Sequence, residues 1–184
     1  MGEIRKYFFI FFLCLWACVL DGRCPDDYCT QNFPNKLLRI ISMEFPGLRI
    51  KKFSDFDEDH KKIWRRYAQG DCPGVAEGHF IEKSRREYAA LLIPIDKKGI
   101  GYKIIIAFVN RVSKYEIVTL IDNLNDKGAE DMDIGTVPPG DIPEFDSGRL
   151  VRINNNGLRV ESIESSSQIY FWKNGQFESI FVKD

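Results

Sequence analysis

Histidine is scarce in this chain: His60 and His79 are the only two among 184 residues. Each stands alone, and the five cysteines form no C-x-x-C pair, so the common zinc patterns are excluded. A Gly-x-Ser-x-Gly elbow is missing, and no cysteine stands in a motif with a histidine, which removes the usual signposts of nucleophilic catalysis. Charge of one sign is not in excess either. Twenty-six Lys and Arg oppose 27 Asp and Glu, for a net charge of −1. No broad positive field therefore points to nucleic acid. No internal repeat is visible, and no linker marks a second domain. No apolar run reaches the roughly 20 residues of a spanning helix.

What is present describes one ordinary globular domain behind a leader. Apolar residues make up 44% and charged residues 29%, with 14 Phe, seven Tyr and three Trp to fill a core. Arg5-Lys6 is a basic start, and Tyr7 to Leu20 is an unbroken apolar run of 14 residues. That length and that start fit a secretory signal over residues 1–22. Retention of the same run as an N-terminal anchor is the competing reading. Leu15-Trp16-Ala17-Cys18 resembles a bacterial lipobox, which would place a lipid on Cys18, although Trp16 departs from the pattern. Otherwise cleavage falls near Ala17 or Gly22. Residues 24–184 remain as a single domain with Cys24, Cys29 and Cys72. An oxidising compartment favours a disulfide among these three. Cys29–Cys72 would tie the helical part to the sheet and contribute on the order of 4 kcal/mol by loop-closure entropy. Cys24–Cys72 is the rival pairing.

Along the chain the period changes once. Phe33, Leu37, Leu38 and Ile41 make an amphipathic stripe, so a helix is expected from Pro34 to the Pro46-Gly47 stop. Leu48–Phe53 reads as a short strand. A second helix is expected over Asp57–Gln69, capped by Asp55 or Asp57, with Ile63, Trp64 and Tyr67 as its apolar face. Strands follow. Gly78-His79-Phe80 opens a strand–loop–strand unit that continues into the buried run Glu87–Ile95. Tyr102–Val109 and Tyr115–Ile121 complete a three-strand meander. Residues 122–147 carry eight acids against Lys127 and read as a long acidic loop with a short strand near Ile134–Val137. Two hairpins then close the chain. One joins Leu150–Ile153 to Leu158–Ile163 through Asn154-Asn155-Asn156-Gly157, and the other joins Gln168–Trp172 to Phe177–Val182 through Lys173-Asn174-Gly175. The expected fold is α+β, with two N-terminal helices packed on a mainly antiparallel twisted sheet of about seven to nine strands.

Gly78-His79-Phe80, six residues, then Glu87-Tyr88-Ala89 resembles the calcium-binding FG-GAP-type repeat, which reads Gly-Asp-Phe, six residues, then Asp-Leu/Tyr-Ala. The likeness covers about 15 residues and occurs once, so a propeller of several blades is not implied. Ile81, Lys83 and Arg85 stand where the repeats carry oxygen ligands. The resemblance therefore implies the hairpin shape with its metal lost. Tyr170-Phe171-Trp172-Lys173-Asn174-Gly175-Gln176-Phe177 is similar to the closing hairpin of small secreted bacterial proteins. Extracytoplasmic immunity proteins share their size and architecture, an analogy of fold alone.

These features lead to a non-enzymatic extracytoplasmic binding protein, of the inhibitor or immunity type, acting on a protein partner in the cell envelope. Its expected binding residues are Asp126, Glu130, Asp131, Asp133 and Asp141 of the acidic loop, together with His79. An acidic loop of this kind would serve as a decoy for a basic cleft. No metal, cofactor or nucleic acid is expected, and the membrane enters only through the signal or a lipid on Cys18. Two alternatives stay open. A periplasmic hydrolase would use acidic-loop carboxylates with His79. A structural envelope protein would depend on the lipid anchor.

Overall fold

The computed structural model describes residues 30, 33–67, 72–96, 101–109, 114–124, 128–163 and 165–183. The signal, Cys18, Cys24, Cys29, Asp126 and Lys127 lie outside these residues. The described residues form two helices, α1 (Asn35–Glu44) and α2 (Glu58–Tyr67), and eleven strands. The strands are β1 (Leu48–Ile50), β2 (Val75–Gly78), β3 (Glu87–Pro94), β4 (Tyr102–Val109), β5 (Tyr115–Asn123), β6 (Met132–Val137), β7 (Gly140–Pro143), β8 (Leu150–Ile153), β9 (Gly157–Ser162), β10 (Ser167–Lys173) and β11 (Gln176–Lys183). Every ladder is antiparallel. The class is α+β, but the single sheet of seven to nine strands is corrected. Eleven strands divide into sheets of five, four and two.

The alternation of β3 and β4 explains the layering. Ala89, Leu91, Ile93, Ile104 and Ile106 point to one side of the five-stranded sheet and meet Met132, Ile134, Leu158 and Val160 of the four-stranded sheet. Ala90, Leu92 and Ile105 point to the other side and meet Phe33, Leu37 and Ile41 of the α1 region. A strand buried on both faces must be apolar at every position, which is why Glu87–Ile95 reads as an unbroken run. The β7–β8 ribbon is a further layer. Its Ile142, Val151 and Ile153 pack on Ile169, Phe171 and Ile180 of the four-stranded sheet.

Helix α1 starts directly after Pro34, whose φ of −59° suits a helix entrance, and ends before Gly47 at φ 90°. Helix α2 is capped by Asp57, whose Oδ1 accepts the Asp59 and His60 N–H groups at 3.0 and 2.8 Å. It does not lie on a sheet, and this too is a correction. Its apolar stripe is too narrow to cover strands. Instead the Trp64 ring packs tilted against Phe53 and Phe56 at centroid distances of 5.4 and 6.3 Å, and Ile163 completes that satellite cluster.

The expected hairpin through Asn156-Gly157 is also corrected. β8 pairs with β7, and β9 pairs with β6 and β10. The asparagines are spent elsewhere. Asn156 exchanges hydrogen bonds with His79, its Oδ1 taking the His79 N–H at 2.8 Å and its own N–H reaching the His79 carbonyl at 3.0 Å. Asn155 Nδ2 donates to the Ile81 carbonyl at 2.6 Å. The Asn174-Gly175 hairpin forms as expected, with positive φ at both turn residues and Lys173 opposite Gln176.

One side of the two-sheet sandwich is stitched shut. Ile134 N–H donates to the Pro73 carbonyl at 3.0 Å, and Thr136 Oγ1 donates to the Glu77 carbonyl at 2.9 Å. Gly74 lies in this seam, where an added Cβ would sit 2.1 Å from the Lys51 carbonyl oxygen. Gly74→Ala is therefore expected to cost about 2–3 kcal/mol, because backbone rather than a movable side chain blocks the methyl. A urea denaturation midpoint checks this, and an unchanged midpoint would contradict the close approach.

Candidate functional site

The most unusual side chain among the described residues is Lys51, which follows β1 and is fully buried. Its ammonium donates to the carbonyls of Ala129, Glu130 and Met132 at 2.6, 3.0 and 2.7 Å. Three protons meet three acceptors, which uses the whole donor capacity of a lysine. The Phe56 ring centroid lies 3.9 Å from Nζ, a cation–π contact on the remaining side. Burial pushes the Lys51 pKa down to about 7, outweighing the attraction of Asp131, Asp133, Asp55 and Glu130. Asp55 is held in turn by Arg49, through paired contacts of 2.6 and 2.5 Å.

The acids expected to form one open face are separated by the fold. Asp133 lies within β6 and is buried. Burial pushes its carboxyl up to about 6, against the pull of Arg159 at 3.2 Å. Asp131 accepts the Ser162 hydroxyl, and its backbone carbonyl accepts the Ile163 N–H at 3.1 Å. Glu130 is exposed on its side-chain face. Asp141 stands on β7, paired with Arg152 at 3.1 Å. Asp122, next to last in β5, lies beside Lys103 at 2.8 Å. Much of the acidic stretch is thus strand, and several of its carboxylates already have cationic partners.

His79 is exposed, and its Nδ1 lies 2.5 Å from the Arg85 carbonyl. A carbonyl only accepts, so Nδ1 carries the proton. That bond closes the 79–86 loop across its base. Glu87 closes the same loop from inside. It is buried, and its two oxygens accept the Ile81 and Glu82 N–H groups at 2.7 and 3.2 Å. Burial raises its carboxyl above the ordinary range, opposed by those amides and by that of Phe80. Glu87→Gln is expected to cost about 1–2 kcal/mol, because an NH2 donor would replace one of the two accepting oxygens and face a backbone N–H. Faster hydrogen exchange at Ile81 and Glu82 would accompany the loss, and unchanged exchange would count against this role.

Three exposed large apolar side chains stand on neighbouring segments, the β7–β8 ribbon with its turn and β11. Phe145, Leu150 and Phe181 are 54%, 65% and 50% exposed. The Phe145 N–H donates to the Phe181 carbonyl at 2.8 Å, and Leu150 pairs with Pro143 two residues away from Phe145. The turn is braced by the Glu144 N–H, which donates to the Arg149 carbonyl at 2.9 Å.

Sequence reasoning missed Lys51, Glu87 and these exposed apolar side chains. A buried lysine held by carbonyls leaves no residue-type signal at its partners. Glu87 alone had a cue, as a charged residue at the head of an apolar strand. Among the described residues no three His, Cys, Asp or Glu groups are placed to hold a metal, and no helix is long and apolar enough to cross a membrane. Compared with known proteins, the chain matches no family model, no curated protein and no solved structure.

Proposed function

We propose that this chain is a non-enzymatic binding protein of the cell envelope, of the inhibitor or immunity type. The exposure of Phe145, Leu150 and Phe181 carries the reading. Exposed aromatic and aliphatic side chains on adjoining segments are frequent anchors of a protein interface. The chemistry elsewhere supports it. Lys51, Asp133 and Glu87, three buried groups whose pKa values burial shifts, are engaged inside the fold. Of the acids first expected to bind, Asp141 stands on the same ribbon as Leu150, where it would set charge complementarity. The loop of Gly78 to Glu87 serves in this reading as a metal-free turn of FG-GAP-like outline.

The test uses the mature chain as bait in cell-envelope extract, beside a Phe145→Ser, Phe181→Ser double variant. Wild type is expected to retain a partner that the variant holds at least about tenfold more weakly, the scale of losing hot-spot anchors. Equal retention by both would overturn the role of these side chains, and no partner at any salt concentration would overturn the function.

Export and a Cys29–Cys72 bridge belong to the same proposal. The intact mass of the mature chain is expected to rise on reduction by the hydrogens that bridging removed, and not to rise in Cys72→Ser. An unchanged mass in wild type would remove the disulfide. A lipid adduct on Cys18 in the same spectrum would establish the anchor.

A further inference from the structure

Residues 129–132 are fastened on two sides by unlike contacts. The carbonyls of Ala129, Glu130 and Met132 turn inward to the Lys51 ammonium. The Asp131 carbonyl and carboxylate turn to the end of β9, accepting from the Ile163 N–H and the Ser162 hydroxyl. Charged groups surround the ammonium from each neighbouring element. Asp55 comes from the short 53–55 turn, Glu130 and Asp131 from the segment itself, and Asp133 from β6. Behind them Arg49 holds Asp55, and Arg159 of β9 holds Asp133 and lies 3.2 Å from Glu161. Helix α2 contributes Trp64 beside Phe56 and Arg65 over Phe53.

We propose that residues 129–132 are a proton-linked strap, closed over the buried Lys51 and opened by releasing that ammonium to water. One side chain supplies all three inward contacts, so they are lost together rather than one by one. A lysine in water keeps its proton to about pH 10. Closing the strap strips its hydration, a cost that disappears once the proton leaves. The open strap therefore holds more protons than the closed one from neutral to alkaline pH, and a falling pH favours opening. Asp133 acts in the opposite sense and at lower pH, where burial holds its proton on.

The Ile163 amide reports the strap, because its acceptor is the Asp131 carbonyl. The Ile105 amide, in the buried middle of β4, reports global unfolding. Hydrogen exchange of the full chain, corrected for intrinsic rates, is expected to give Ile163 an opening constant at least about a hundredfold above that of Ile105. Between pH 8 and 9 the Ile163 constant is expected to fall about tenfold, close to the slope of one proton. Asp133→Asn should keep that slope, and Lys51→Met should abolish it. Equal constants at Ile163 and Ile105 would show that only global opening occurs and would overturn the strap. A flat pH response in wild type, or loss of the slope in Asp133→Asn, would overturn its link to Lys51 even if Lys51→Met fails to fold.

Discussion

Between pH 7 and pH 10 the native fold is expected to gain on the order of 4 kcal/mol in stability, and this gain is expected to be missing in Lys51→Met. The sign follows from proton counting. The folded lysine has its pKa lowered to about 7, while the unfolded lysine stays near 10.5. Through that window the unfolded chain binds the extra proton, so stability rises with pH. The contribution is fully present above the unfolded pKa and is lost as pH falls through the folded one. Asp133 gives the opposite slope on the acid side. Its carboxyl is raised from 3.8 to about 6 by burial, so the folded chain keeps the proton longer. Stability is then expected to fall by about 2–3 kcal/mol as pH rises from 4 to 6, a slope that Asp133→Asn removes. The two together predict a shallow minimum near pH 6 to 7. Urea denaturation at fixed pH measures it, with each variant subtracted from wild type. A wild-type curve parallel to that of Lys51→Met from pH 7 to 10 would refute the burial cost.

Phe56→Ala is expected to destabilise the protein by about 4 kcal/mol. Phe56 is 2% exposed and packs against Phe53, Trp64 and His60 at centroid distances of 6.4, 6.3 and 6.5 Å. Its removal leaves a cavity where the satellite cluster has few side chains to collapse inward. It also strips the Lys51 ammonium of its aromatic face, a contact worth about 2 kcal/mol when desolvated. The effect should be smaller in a Lys51→Met background, because part of the loss belongs to the pair. Additive losses in the double variant would show that ring and cation act independently. Phe56→Leu separates the two causes further, since it fills much of the volume without offering a ring face.

Much of the architecture is legible in the order of residues. The stripe of Phe33, Leu37 and Ile41 places α1, the double-sided run of β3 and β4 places the centre of a sheet, and Asn174-Gly175 places a type of turn that two positive φ values require. These are local matters, settled by period and by the allowed dihedrals of a few neighbours. The candidate site is less legible. His79 and Asp141 can be picked out as polar groups in a turn and an acidic stretch, but their partners, Arg85 through its backbone and Arg152, cannot be assigned from spacing. Asp133 reads as a solvated acid because nothing in its neighbourhood along the chain announces burial.

What the amino-acid order determined by itself is therefore the inventory of segments: the helix between Pro34 and the Pro46-Gly47 stop, the meander from Glu87 to Ile121 and the closing hairpin around Asn174-Gly175. Tertiary structure alone decided that β8 leaves β9 for β7, that Asn156 clips His79 instead of turning a hairpin, and that Lys51 goes inside. The reason is the same in each case. Hairpin turns and helix stripes are made among near neighbours, whereas the carbonyls that hold Lys51 come from residues 78 to 81 positions away and belong to the backbone, which every residue type shares.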